Sequence, residues 1–264
     1  MAFPTHPSLQ HLLQRPDIWR LTERGRAAGR GAGLATGFAD LDAALHGGGW
    51  PRAALTEILA SAPGSGELQL LLPTLAALGR QQMLQVWINP PFIPYAPALA
   101  AAGVELASLL IVRVESKQQL WTCEQALRCA ACGAVLFWPS APLRYAELRK
   151  LQVAAASQQA LAFLLRDPRA AAQTSPAALR LQLQPQTGNQ LSVQILKQRG
   201  THGGQDVLLS RPALLNTQVP ISQRPAMTST IVADTEDVRV RRRDVSTRIP
   251  RRLFAIPSVR APQP

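Results

Sequence analysis

Ala54-Leu55-Thr56-Glu57-Ile58-Leu59, then Pro63-Gly64-Ser65-Gly66-Glu67-Leu68, then Leu70-Leu71-Leu72-Pro73-Thr74-Leu75-Ala76 is the stretch that decides the fold. Its first part is a short, almost wholly apolar run of strand length. Its last part has the length and composition of a helix, and the middle is a glycine turn. Strand, glycine turn and helix form the setting of the phosphate-binding motif G-x-x-x-x-G-K-[ST], where backbone N–H groups cradle phosphate and a lysine neutralises it. Here Glu67 stands at the lysine position and Leu68 replaces the hydroxyl that would hold magnesium. A carboxylate in that place repels a triphosphate. The setting is kept and the chemistry is not.

Outward from this stretch, apolar runs recur at 55–59, 84–88, 109–114, 134–138 and 161–165, separated by helix-like segments at 67–80, 95–106, 117–131 and 143–158. Strands that alternate with helices and are apolar along their whole length predict a mostly parallel sheet with helices on both faces. Residues 179–184 and 191–195 instead alternate strictly, joined by Thr187-Gly188-Asn189. They predict a C-terminal antiparallel hairpin with one wet face, extending one sheet edge. Three units are expected: an N-terminal helical segment and linker (1–33), an α/β core (34–200), and a largely disordered Arg-rich tail (201–264).

The 264 residues are 47% hydrophobic, enough for a packed core, with a net charge of +12. That charge is uneven: residues 239–264 hold eight arginines against one aspartate. Arginine clusters favour phosphate-backbone contacts. The tail residues Arg239, Arg241, Arg242, Arg243, Arg248, Arg251, Arg252 and Phe254 are therefore expected to contact nucleic acid or a partner. Ile249, Leu253 and Ile256 add apolar anchors that suit a protein groove. Three cysteines cannot build a disulfide framework. With neither a signal-peptide pattern nor an apolar run of about 18 residues, a cytoplasmic protein with no membrane segment is expected.

Other constellations are weak. Cys129 and Cys132 have zinc-like spacing but no second pair, and the four histidines (His6, His11, His46, His202) form no spaced set. Core packing on a helix followed by a buried strand is the better account, and no metal is expected. No hydrolytic constellation stands out, so no catalytic residue is assigned. Trp50, between glycines and Pro51, is a candidate exposed anchor for a partner, against a default of core packing.

Thr36-Gly37-Phe38-Ala39-Asp40-Leu41-Asp42-Ala43-Ala44-Leu45, then Gly47-Gly48-Gly49-Trp50-Pro51, resembles the approach to a RecA-type recombinase core, T-G-x-x-x-L-D-x-x-L-x-G-G. Together with Arg15-Pro16-Asp17-Ile18-Trp19-Arg20 and the stretch 63–73, the chain is similar to the ImuA family. These are RecA-related accessory proteins of bacterial mutagenic translesion synthesis. From residue 55 to about 169 it also resembles the cell-division inhibitor SulA. The resemblance implies a RecA-like fold with its nucleotide chemistry lost three times over. Besides Glu67 and Leu68, Pro91 occupies the place of the catalytic glutamate, and Trp138-Pro139 follows the strand that should end in a magnesium-binding aspartate. A lysine-to-glutamate change alone reverses an interaction worth several kcal/mol at ~4 Å, so no ATP cofactor and no enzyme activity are expected. The resemblance further implies RecA, ImuB and the associated error-prone polymerase as partners, with DNA and self-association as additional contacts, in SOS-induced translesion synthesis. It marks Lys197 and Arg199 as a remnant that would reach nucleotide across a subunit boundary, against a plain solvated strand end. The alternatives are a SulA-like inhibitor binding FtsZ, and a weak ATPase or DNA-binding module.

Overall fold

The computed structural model describes residues 33–187, 190–199 and 203–210. Among these residues eight strands form one sheet: β1 (Leu55–Ala60), β2 (Leu84–Ile88), β3 (Leu109–Val112), β4 (Cys132–Phe137), β5 (Leu161–Arg166), β6 (Leu179–Pro185), β7 (Gln190–Gln198) and β8 (Gln205–Ser210). Their order is β3-β2-β4-β5-β1-β6-β7-β8. The first six are parallel, and β6, β7 and β8 pair antiparallel. The fold is the mostly parallel α/β sheet with a C-terminal hairpin that the sequence predicts.

Among the described residues five α-helices cover it: α1 (Ala39–Ala44), α2 (Glu67–Arg80), α3 (Ala96–Ala101), α4 (Ser116–Leu127) and α5 (Tyr145–Ser157). The strands divide their side chains between two cores because alternate residues face opposite sides. Ile58, Trp87, Leu136 and Phe163 pack with Leu41 of α1, Leu70, Leu71 and Leu75 of α2, and Leu99 of α3. Leu55, Val135, Ala162 and Leu164 pack on the other face with Cys123 and Leu127 of α4 and with Leu148 and Leu151 of α5.

Three expectations are corrected. The helix expected over 95–106 is cut short, because Gly103 takes φ +81° and closes α3. Val104 N–H donates to Leu99 C=O and Gly103 N–H to Ala100 C=O, the paired C-terminal cap that a left-handed glycine permits. Helix α4 ends at Leu127, so Cys129 lies in a turn and Cys132 opens β4, rather than both lying on a helix. A strand also lies beyond residue 200. Gln205–Ser210 adds an eighth strand along β7 and buries Val207 and Leu209, so the sheet reaches beyond the core boundary placed at 200.

Trp50 takes the default of core packing, and the alternative of an exposed anchor falls away. It is fully buried, meets Phe163 edge-on with ring centroids 5.1 Å apart, and donates its indole N–H to Thr74 Oγ1 at 2.8 Å. The glycines around it serve close backbone approach: a Cβ on Gly49 would fall 2.3 Å from the carbonyl oxygen of Leu34. The Thr36–Asp42 motif is likewise structural. Asp42 Oδ1 accepts the Thr36 N–H at 2.8 Å, fixing the turn into α1 so that Leu41 reaches the core.

Candidate functional site

In a parallel sheet the loops after the strands gather at one edge, where ligands of open α/β folds bind. Here the loops after β1, β2, β3, β4 and β5 enclose an open cavity of about 970 Å³. Glu67, Pro91 and Trp138, which the sequence places after three different strands, all line it. The structure therefore brings those three substitutions together at one place.

The turn from β1 into α2 is built around its glycines. Gly64 and Gly66 take φ +87° and +110°, conformations that a side chain strains. Ser65 is nearly buried and ties the turn internally: its Oγ donates to Ala62 C=O at 2.6 Å and accepts the Ala62 N–H at 3.1 Å. Glu67 opens α2, is 4% exposed, and folds back so that Oε1 accepts the Gly64 N–H at 2.7 Å. The chain's own carboxylate thus occupies a loop N–H of the kind a phosphate would use, at the favourable end of the helix dipole. Oε2 is buried and accepts no hydrogen bond from any described residue. Leu68 packs against the apolar core and Pro63 stands exposed at the rim.

Asn89 has a structural role that sequence reasoning missed. At φ +52°, its side chain takes the N–H of Val114 at 2.8 Å and donates to Val114 C=O at 3.0 Å. This amide clamp prolongs the β2–β3 ladder by one residue and holds the loops that carry Pro91 and Arg113. Beyond it, Phe92, Ile93 and Tyr95 stand 66–77% exposed.

Also missed is an ionic network that joins β1, β5 and β6. Glu57, fully buried, accepts from Arg180 Nε at 2.8 Å, from Arg166 Nη1 at 3.4 Å and from Ser175 Oγ at 2.6 Å. Arg180 also donates to the carbonyls of Ala170, Ala171 and Gln173, pinning the crossover between β5 and β6. The signal available in the sequence was a charge inside the apolar run of β1 and another closing that of β5, whereas Arg180 sits at a position that the alternation of β6 assigns to a wet face.

Lys197 and Arg199 do not join the cavity. Lys197 pairs with Arg180 near the start of β6, beside the amino end of β1. That is about 13 Å along the strand from the glycine turn at ~3.3 Å per residue. Its Nζ donates to Ser175 C=O at 2.7 Å, and desolvation, helped by the Arg180 charge, lowers its pKa. The eight tail residues, from Arg239 to Phe254, lie outside the described residues, as do the N-terminal segment and the turn residues Gly188 and Asn189.

Among the described residues no group of three or more His, Cys, Asp or Glu side chains could hold a metal ion, and no helix is long and apolar enough to cross a membrane. Cys123 and Cys132 are buried.

The class this geometry defines is an α/β protein with a carboxylate-blocked glycine turn at the carboxyl edge of a mostly parallel sheet. Within it, residues 54–162, from β1 to the start of β5, match the family model described as cell division inhibitor SulA. The matched stretch spans less than half of the 264 residues. No curated protein matches the chain.

Proposed function

We propose that this chain is a non-catalytic, SulA-related adaptor of the SOS response, working as an ImuA-like accessory protein in translesion DNA synthesis. One observation carries the non-catalytic part: Glu67, buried at the head of α2, bonds to the turn's own Gly64 N–H. Phosphoryl transfer needs a cation, a metal and a positioned water at this point. The chain offers a carboxylate, a proline and a tryptophan instead. On this reading the turn is a degenerate phosphate loop and the fold works by docking, in the cytoplasm. RecA and ImuB, with its error-prone polymerase, are the protein partners, and the arginine-rich tail supplies a DNA or protein contact. The SOS setting is supported by the SulA-related stretch, the translesion role by the motifs of residues 15–20, 36–51 and 63–73.

The family match favours one second reading, an inhibitor that binds the division protein FtsZ. Pull-down of the purified chain against RecA, ImuB and FtsZ separates the two. Capture of RecA or ImuB is expected, and exclusive FtsZ capture overturns the first reading. Steady ATP turnover that vanishes on altering Glu67 would overturn the non-catalytic part.

A further inference from the structure

At the hairpin end the sheet stops at β8. That strand pairs with β7 along one side, and among the described residues no strand pairs its other side. An edge strand presents a row of N–H and C=O groups to which another chain can pair. Soluble proteins therefore blunt their edges with lysine, proline, a bulge or an inward-pointing charge. β8 has none of these. Its six residues include no lysine and no proline, its register on β7 is unbroken, and its inward side chains are Val207 and Leu209. Its other face carries Asp206, Leu208 and Ser210, all exposed, with Leu208 at 52%. The opposite edge, β3, offers less: it has four residues, of which Ile111 and Val112 are buried. β8 also lies outside residues 54–162, the stretch that matches the SulA family model.

A strand that fits this edge must set apolar residues beside Val207, Leu208 and Leu209 and keep negative charge away from Asp206. β8 itself does so. In an antiparallel pair, residues directly opposite each other point to the same face of the sheet. When two copies of β8 meet about a two-fold axis, that axis must therefore pass through a residue. Centred on Leu208, each Leu208 faces its counterpart, Val207 faces Leu209, and Asp206 faces Ser210. The exposed leucines then cover one another, the inward residues continue one core from copy to copy, and the two carboxylates stay apart. Centred on Val207, Asp206 faces Leu208 and Gln205 faces Leu209, which sets polar against apolar on both faces. Centred on Leu209, Leu208 faces Ser210 and stays uncovered by its counterpart.

We propose that the outer edge of β8 is a homodimer surface: two copies pair β8 with β8 antiparallel, in the register centred on Leu208, and their sheets run on as one. A contact made by one short strand from each side is at the small end of specific interfaces, so association is expected at about 10 µM rather than at nanomolar concentration. Each copy carries a net charge of +12, while Asp206 is the one charged residue of the strand itself. Added salt should therefore strengthen the dimer by screening the repulsion between copies. Clustering of the chain on nucleic acid through its arginines would weaken with salt instead. This goes beyond the adaptor reading and stands without it.

Cysteine cross-linking of the full chain tests both the contact and its register. Leu208→Cys puts two thiols directly across the axis, with Cβ atoms about 4.5–5.5 Å apart, close to disulfide geometry. Asp206→Cys puts them four residues apart along the pair, roughly 13 Å at ~3.3 Å per residue, which no disulfide spans. Under mild oxidant at about 50 µM, L208C is expected to form covalent dimer about tenfold faster than D206C or the unmodified chain, whose three cysteines set the background. Leu208→Lys supplies the second arm. It changes an exposed side chain, so it should leave the melting temperature in place, while opposing two charges across the axis. In sedimentation equilibrium it should move the monomer–dimer midpoint to about tenfold higher concentration. Equal cross-linking of L208C and D206C overturns the proposal, as does a dimer that L208K leaves intact. So does a chain that stays monomeric to about 100 µM; slow hydrogen exchange of the 206–210 amides in that monomer would assign the edge to another part of the same chain.

Discussion

Glu57 accepts two arginines and a serine while fully buried, and the balance of charge there is one-sided. Replacing it by glutamine keeps the shape but leaves Arg166 and Arg180, whose side chains are 4% and 8% exposed, without a counter-charge. Breaking a buried ion pair from one side costs about 3–5 kcal/mol. Glu57→Gln is thus expected to lower the urea midpoint far more than Ser175→Ala, which removes one neutral donor worth about 1 kcal/mol; equal effects would show that the network contributes little. The buried thiols make a second residue-scale prediction. Burial, aided by the neighbouring Cys129, pushes Cys132 from its ordinary 9.0 up to about 12, and burial drives Cys123 upward too. Folded thiols therefore keep protons that unfolded ones release. Their contribution to stability is complete below pH 9 and is lost as pH rises toward 12. Unfolding midpoints at pH 8 and pH 10 should differ more in the unmodified chain than in C123A/C132A, and parallel profiles would contradict the assignment.

At the scale of the elements, the turn between β1 and α2 depends on two glycines for different reasons. Gly64 has φ +87° but open space around it, so Gly64→Ala carries only backbone strain of roughly 1–2 kcal/mol. Gly66 adds a contact: its Cβ would lie 3.0 Å from Leu191 Cδ1, with φ +110° besides. Gly66→Ala should therefore lower the melting temperature more than Gly64→Ala, and the reverse order would mean that Leu191 moves aside freely. Much of this element structure was legible. The strands of the parallel sheet are apolar along their length because both faces are covered, and the glycine turn announced the start of α2 at Glu67. What was illegible depended on partners distant in sequence. Glu57 meets Arg166 and Arg180 across separations of 109 and 123 residues, and Trp50 looks exposed between glycines until Phe163 and Thr74 arrive. The convergence of Glu67, Pro91 and Trp138 was foreshadowed because each follows a strand of one parallel sheet. The unpaired Oε2 was not, since no residue type announces a missing donor.

For the molecule as a whole, the open question is where the cooperative unit ends, and β8 decides it. Gln205-Asp206-Val207-Leu208-Leu209-Ser210 is a short edge strand with only Val207 and Leu209 turned inward, too weak a pattern to stand out in a polar stretch. Yet both side chains belong to the same core as Ile58 and Trp87, and β8 covers the outer edge of β7 through six paired positions. Burying two such side chains contributes about 3–6 kcal/mol, a large share of a typical domain's stability. Removing β8 would also bare the edge of β7, a nine-residue strand able to pair with another chain. A chain ending at residue 200 is therefore expected to unfold at lower urea than one ending at 210, and to aggregate on concentration. Comparing the two by urea unfolding and light scattering checks this. If ending at 200 costs nothing, β8 is an ornament on a sheet already complete at β7, and the core boundary returns to where the sequence alone put it.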